Sequence, residues 1–327
     1  MSPMSLWSRP LALVVVLVAC GLFAVPAGSQ TQVPRTIKIV VPLAAGGGAD
    51  IVARVLAEQI GRAQNVTAVV ENRPGAGTAI GTEAVARAAP DGETVILTNP
   101  AFLINPHIKK VGYDPLTSFD PVCNIVNFPL VFVVPADSPL KTMADMLAMA
   151  RAKPGSVTVA SAGTGNPTHI GFEVLKRATG LDMTYVPFAG AAPAVNALLG
   201  GHITSVYSDY TTVSAQLKAG TLRPLAIGSR QRFAGLPDVP TLPELGLTDY
   251  EAESWNGVLA PAKTPKDTLA QLEGWFAAAG RSPELKEKLA ALGIYPNIVC
   301  GGDYGALLRR QNEQYGTNIR ASNIKAE

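Results

Sequence analysis

Apolar positions along this chain recur with two spacings: densely in short runs, and every third or fourth residue in longer ones. Thr36-Ile37-Lys38-Ile39-Val40-Val41 is rich in β-branched residues and stops at Pro42, which predicts a strand. Gly46-Gly47-Gly48 makes a turn, after which Ile51, Val52, Val55, Leu56 and Ile60 fall on one face of a helix. A second strand is predicted over 66–70, a short helix over 79–89, a turn at Ala89-Pro90-Asp91-Gly92 and a third strand over 94–98. After a break the pattern restarts. It predicts strands over 130–134, 157–160, 183–186, 205–207 and 223–227, and helices over 143–152, 167–179, 193–199 and 213–219. Glycines or Pro-Gly pairs close these helices at Pro154-Gly155, Gly180, Gly200-Gly201 and Gly220. The tail reads as helices over 265–279, 283–292 and 303–319.

Short strands separated by helices predict βαβ units, hence an α/β fold with mostly parallel sheets. The restart in mid-chain predicts two lobes. The first is built from 34–126 plus 256–327, and the second from 127–255. No internal repeat of 20–50 residues interrupts this reading.

The first 27 residues follow a different rule. Residues 1–10 carry one charge, Arg9, and residues 11–25 are almost wholly apolar. That run is shorter than the ~20 residues needed to span a bilayer. With Val25-Pro26-Ala27 after it, the stretch reads as a secretory signal peptide over 1–27, an uncleaved anchor being the alternative. Leu17-Val18-Ala19-Cys20 resembles a lipoprotein box, but residues 21–25 stay apolar where a lipoprotein turns polar, so simple cleavage is favoured over lipidation at Cys20. Either route places the folded part outside the inner membrane, in the periplasm.

Composition narrows the function. Of 327 residues, 47% are hydrophobic and 16% charged, which excludes a disordered chain. Basic and acidic residues nearly balance, 27 against 25, with no basic run of the kind that follows phosphates, so nucleic acid is excluded as a partner. Three cysteines make neither a disulfide scaffold nor a zinc site. In an oxidising compartment Cys123 and Cys300 are either one disulfide or two buried thiols, and the sequence leaves both open.

Three glycine turns lead from a predicted strand into a predicted helix: Pro42 to Asp50, Ser161 to Pro167, and Phe188 to Pro193. Ligands of open α/β sheets bind outside such strand ends. Glycine admits close approach to the main chain, and a helix start offers unpaired N–H groups with partial positive charge, which hold an anion without lysine or arginine. The plainer alternative is that the glycines only make tight turns. Asp50, an acid at a helix start, reads as holding its own turn rather than as touching an anion.

Other motifs point elsewhere and are weaker. Gly75-Ala76-Gly77-Thr78-Ala79-Ile80-Gly81 resembles a dinucleotide fingerprint, but Glu71-Asn72-Arg73-Pro74 separates it from its strand. Val159-Ala160-Ser161-Ala162-Gly163 is one residue from a nucleophile elbow, and His169 follows, which leaves a secreted hydrolase on Ser161 and His169 as a minor alternative. No His, Cys or Asp cluster has metal-ligand spacing, and no cofactor is expected. Trp255 reads as core or as facing a cleft.

Taken with Val70-Glu71-Asn72-Arg73-Pro74-Gly75-Ala76-Gly77, Arg87-Ala88-Ala89-Pro90-Asp91-Gly92, Leu236-Pro237-Asp238-Val239-Pro240-Thr241 and Trp255-Asn256-Gly257, these turns make the chain closely resemble the substrate-binding proteins of tripartite tricarboxylate transporters, the Bug family. The resemblance covers nearly the whole chain after the leader. It implies a two-lobed, type II periplasmic-binding-protein-like fold that closes over a small organic carboxylate without catalysis. It implies contacts from Leu43, Ala44, Ala45, Gly46, Gly47 and Gly48 in one lobe, and from Ser161, Gly163, Thr164, Gly165 and Asn166 in the other. Thr98 and Asn99 fall at the family's strand-end contact, and His169, Gly190, Ala191, Ser208 and Asp209 complete the candidate set. Delivery to a membrane permease is implied, a sensor kinase being the alternative partner, and a monomer is expected. Two departures stand out. Ala197 replaces a common aspartate, and Tyr207-Ser208-Asp209 replaces Phe-Asp-Asn. Counted as missing acids, they tilt the expectation from amino acids toward a simple carboxylate. Leu43 replaces a common aromatic and widens the cleft.

Overall fold

A long strand, β4 (Phe119–Pro135), runs through the middle of the molecule and takes part in both halves of its sheet. The structure is a computed structural model and describes residues 36–188, 190–248, 250, 252–291 and 294–324. The signal peptide expected over 1–27, with Cys20 and the expected cleavage point after Ala27, lies outside the described residues.

In the first half, β1 (Thr36–Val41) pairs in parallel with β2 (Thr67–Asn72) and β3 (Thr94–Thr98). Helix α1 (Gly48–Gln64) joins β1 to β2, and α2 (Ala79–Ala86) lies between β2 and β3. After α3 (Ala101–Ile108) the chain enters β4. Its first part pairs antiparallel with β9 (Glu253–Pro261), and β9 pairs antiparallel with β3. From Leu130 onward β4 changes partners to β7 (Ser205–Asp209) and β8 (Leu222–Ile227). There β5 (Thr158–Ser161) pairs in parallel with β6 (Thr184–Pro187) and β7. Helices α4 (Met143–Ala152), α5 (Pro167–Thr179), α6 (Ala191–Leu199) and α7 (Tyr210–Lys218) belong to this half. The chain returns through β9 to α8 (Lys266–Gly280), α9 (Pro283–Ala291), β10 (Tyr295–Cys300) and α10 (Gly301–Ala321). The α/β fold is two-lobed, each lobe a parallel three-stranded unit extended by antiparallel strands.

The period-2 alternation of strands decides which helices cover which face. Ile37, Ile39 and Val41 pack with Val52, Leu56 and Phe276, while Val40 and Ile96 pack with Phe102, Trp255 and Tyr304. In the second lobe Leu130, Phe132 and Val134 face Met146, Phe172 and Leu175, while Val131 and Val133 face Val195, Leu198 and Val213. Burying each such side chain contributes roughly 1.5–3 kcal/mol.

Four elements escape the sequence pattern: the first part of β4, and α3, β9 and β10. Pro121 and Pro129 interrupt β4, and its register with β9 shifts between Pro121 and Cys123 and again between Asn124 and Val126. Proline cannot donate to a ladder, and each bulge resets the alternation, so periodicity fails there. Helix α3 carries Pro106 and β10 carries Pro296.

Trp255 belongs to the core. It is fully buried, its Nε1 donates to Gln311 Oε1 at 2.7 Å, and it meets Phe102 and Tyr304 edge-on. Gly257 beside it leaves room for Tyr304, whose hydroxyl would lie 2.1 Å from a Cβ at that position. Cys123 and Cys300 are opposite one another in β4 and β10 and are joined as a disulfide across 177 residues. On the chain-entropy view, closing a loop of that size is worth up to roughly 5 kcal/mol.

Candidate functional site

At the carboxyl ends of β1, β3, β5 and β7 lies a cleft of about 810 Å³, lined by both lobes. From the second lobe comes the turn between β5 and α5. Gly163 (φ +103°) and Gly165 (φ +73°) take the left-handed conformations that bring its main chain to the cleft wall. Asn166 caps α5: its Oδ1 accepts from the His169 amide at 2.8 Å and its Nδ2 donates to the Gly163 carbonyl at 3.0 Å. A Cβ on Gly165 would stand 2.3 Å from Ile108 Cδ1 of α3, so the two lobes touch here.

Ser161 and His169 support this turn from behind. The Ser161 hydroxyl bonds the Tyr185 hydroxyl at 2.7 Å, and Tyr185 donates to the Gly163 carbonyl. His169 Nδ1 accepts from the Gly165 amide at 3.1 Å, and the ring stacks on Tyr185 at 4.0 Å. Burial, with Lys176 adding to it, lowers the His169 pKa to about 4, so the ring is neutral at ordinary pH. This geometry argues against the hydrolase alternative: the Ser161 hydroxyl is bonded to Tyr185, and the accepting nitrogen of His169 is taken by a main-chain amide.

The first glycine turn sits differently from its expected place. Only Leu43 lines the cleft, whereas Ala44, Ala45, Gly46 and Gly47 are exposed, and Gly48 is half-buried near Phe128 and Ile294. Asp50 holds this turn. Its Oδ2 accepts from the Gly46 amide and from Arg54 Nε, each at 2.9 Å. Burial opposes ionisation, yet Arg54 and the Gly46 amide keep its carboxyl below the usual range. Thr98 is buried behind the cleft, and Asn99 lines it. Gly190 (φ +136°) starts α6, but it is Phe188 of that turn, and neither Gly190 nor Ala191, that lines the cleft. Ser208 and Asp209 at the end of β7 line it as well.

The structure adds a wall that sequence reasoning set aside. Gly75, Ala76, Gly77 and Thr78 have φ of +131°, +46°, +58° and +81°, four positive values in a row. For Ala76 and Thr78 such a conformation costs about 1–3 kcal/mol each. It persists because the turn is pinned from outside. Asn105 Nδ2 donates to the Gly77 carbonyl at 2.7 Å, Thr82 Oγ1 to the Thr78 carbonyl at 2.9 Å, and Lys109 Nζ to the Ala76 carbonyl at 2.7 Å. Ala76, Gly77 and Thr78 line the cleft together with Asn105 and Lys109. Successive amides in a tight turn form a concavity suited to an anion.

Lys109 is the one basic side chain among the described residues that line this cleft. Burial lowers its pKa, and its hydrogen bond to the Ala76 carbonyl is to a group that carries no full charge. Asp209 is the one acid among the described residues of the lining. Burial raises its pKa to about 6 despite a bond from Ser254. The glycines of the 75–78 turn were the only sequence signal for this wall, and Lys109, Ile108 and Ser254 had none.

The family described as "Tripartite tricarboxylate transporter family receptor" matches residues 52–324. The chain belongs to that family. Among its relatives, the protein BugT of Bordetella pertussis is 31% identical over 321 residues, covering 97% of this chain and 98% of BugT. The solved structure of the periplasmic binding protein BugD has a TM-score of 0.75 at 33% identity, over 90% of this chain and 99% of BugD. That of R. palustris Rpa4515 with adipate also has a TM-score of 0.75, at 30% identity, over 89% of this chain and 98% of the other. As a member of this receptor family, the chain presents its cleft where open α/β sheets place their ligands.

Proposed function

We propose that this chain is a periplasmic solute-binding protein that captures a small organic carboxylate between its lobes and hands it to a membrane permease of the tripartite type. The observation that carries this reading is Lys109. It is a partly buried cation beside a strained, pinned turn, facing a cleft whose opposite wall is the main chain of 163–166. An anion between them gains charge-assisted hydrogen bonds of ~1.5–3 kcal/mol each. A micromolar dissociation constant needs about 8 kcal/mol in all, so three such bonds supply more than half. Contact of the carbon skeleton with Leu43, Ile108 and Phe188 supplies the remainder. The relative bound to adipate supports the ligand class, and the family description supports the transport role. No step of this reading is catalytic.

The test is a melting-temperature panel on protein lacking residues 1–27. It spans dicarboxylates, tricarboxylates, aromatic acids, hydroxy acids and amino acids. At ~100 times its dissociation constant, a true ligand adds about 2.7 kcal/mol of stability. At least one acid should raise the melting temperature by several degrees, and a flat response across the panel would refute the reading.

A further inference from the structure

Asp209 closes β7 at the end of the cleft formed by the second lobe. Ser254, which also lines the cleft, bonds its carboxylate, while Oδ1 is buried and meets no donor of the protein. The groups that act on it are uncharged, the Ser254 hydroxyl and the Tyr207 phenol, and its neighbours in sequence, Ser208 and Tyr210, are uncharged too. A buried carboxylate oxygen without a donor is costly, and such groups persist where a ligand or a specific role calls for them. Lys109, the cation of the cleft, belongs to the other lobe.

We propose that the solute carries a hydrogen-bond donor, a hydroxyl or an ammonium, away from the carboxylate that meets Lys109, and that Asp209 selects for it. This rests on the carboxylate reading above and narrows it. A solute spanning the cleft places its negative end by Lys109 and the 76–78 turn, and its donor against Asp209 Oδ1. A plain dicarboxylate would set a second negative charge against Asp209, which two close carboxylates tolerate only by sharing a proton. The sequence-based tilt toward a simple carboxylate counted acids missing at 197 and 208. Asp209 returns an acid to the cleft, one residue beyond the position that was counted, and reverses the tilt.

The test is calorimetric titration at pH 7.5 of the wild type and of Asp209→Asn. The probes are matched acids of four and six carbons: 4-hydroxybutyrate, 4-aminobutyrate and succinate, then 6-hydroxyhexanoate, 6-aminohexanoate and adipate, alongside the wider panel. Donor-ended acids should bind the wild type at least tenfold more tightly than the dicarboxylate of equal length. In Asp209→Asn that ratio should fall at least tenfold, with a cooperative melting transition showing that the variant is folded. A dicarboxylate that binds the wild type as tightly as its donor-ended partner overturns the proposal, as does a ratio unchanged within threefold in the variant. So does binding confined to acids without a donor. Each of these leaves the carboxylate reading standing, whereas no binding by any acid of the panel defeats that reading itself.

Discussion

Lys109→Glu weakens binding of the tightest panel carboxylate by at least 100-fold, and Lys109→Met by about tenfold or more. Two unit charges 4 Å apart attract by about 4 kcal/mol at an effective dielectric near 20, part of which offsets desolvation. Methionine removes that attraction, and glutamate replaces it with repulsion at the same place. Both variants lose the hydrogen bond from Nζ to the Ala76 carbonyl, which holds the left-handed turn. A hydrogen bond from a charged donor contributes about 1.5–3 kcal/mol to stability, so both should melt earlier and remain folded. The graded order, wild type tighter than methionine and methionine tighter than glutamate, separates a charge effect from a loosened turn. Equal losses in the two variants would assign Lys109 to holding the turn alone, and unchanged affinity in Lys109→Glu would remove it from the site.

Asp209→Asn makes the unliganded protein more stable at pH 7.5, by up to about 3 kcal/mol, and the gain disappears near pH 4. The folded pKa of Asp209 is about 6 against a reference of 3.8, raised by burial. For a group whose folded pKa is raised, the associated stability is fully present below the unfolded pKa and is lost as pH rises through the folded one. A shift of about two units corresponds to ~3 kcal/mol lost in the wild type above pH 6. His169 has the opposite sign. Its folded pKa of about 4 lies below 6.5, lowered by burial and then by Lys176. Its contribution is present above pH 6.5 and is lost as pH falls through 4. Between pH 6.5 and 4 these two contributions oppose each other in the wild type. In Asp209→Asn the loss from His169 stands alone, so the variant loses stability relative to the wild type as the pH falls. Urea midpoints across pH 4–8 measure this difference. A gap between the two proteins that does not change with pH would contradict the assignment of a buried, ionised Asp209. The gain also fits a general pattern, in which groups kept for binding reduce stability.

The βα alternation was readable because Ile37, Ile39 and Val41 against Val52, Leu56 and Ile60 satisfy two periodicities with glycine punctuation between them. The second glycine turn was readable for the same reason, since Gly163, Gly165, Asn166 and Pro167 each suit one local requirement of a strand-to-helix turn. The first glycine turn shows where that argument stops. Its three glycines are equally suggestive, yet Asp50 draws the Gly46 amide inward and leaves Ala44 to Gly47 in solvent. The dinucleotide-like Gly75-Ala76-Gly77 carries no local sign of what it does in the fold. Its place in the cleft depends on Asn105 and Lys109, some 30 residues on, at the end of a helix with proline inside it. Pairings of that kind come from tertiary packing and have no local signature. The same holds for Gly165 against Ile108, and for Trp255, whose burial follows from Gln311 and Tyr304 far along the chain.

The central claim is that Lys109 with the 76–78 turn in one lobe, and the 163–166 turn in the other, grip the same anion. A crystal structure of the protein with the tightest acid of the panel tests it most directly. The account predicts a carboxylate about 3 Å from Lys109 Nζ and from main-chain amides of the 163–166 turn. A carboxylate bound elsewhere, or held by the exposed 44–47 turn with Lys109 facing away, would contradict it.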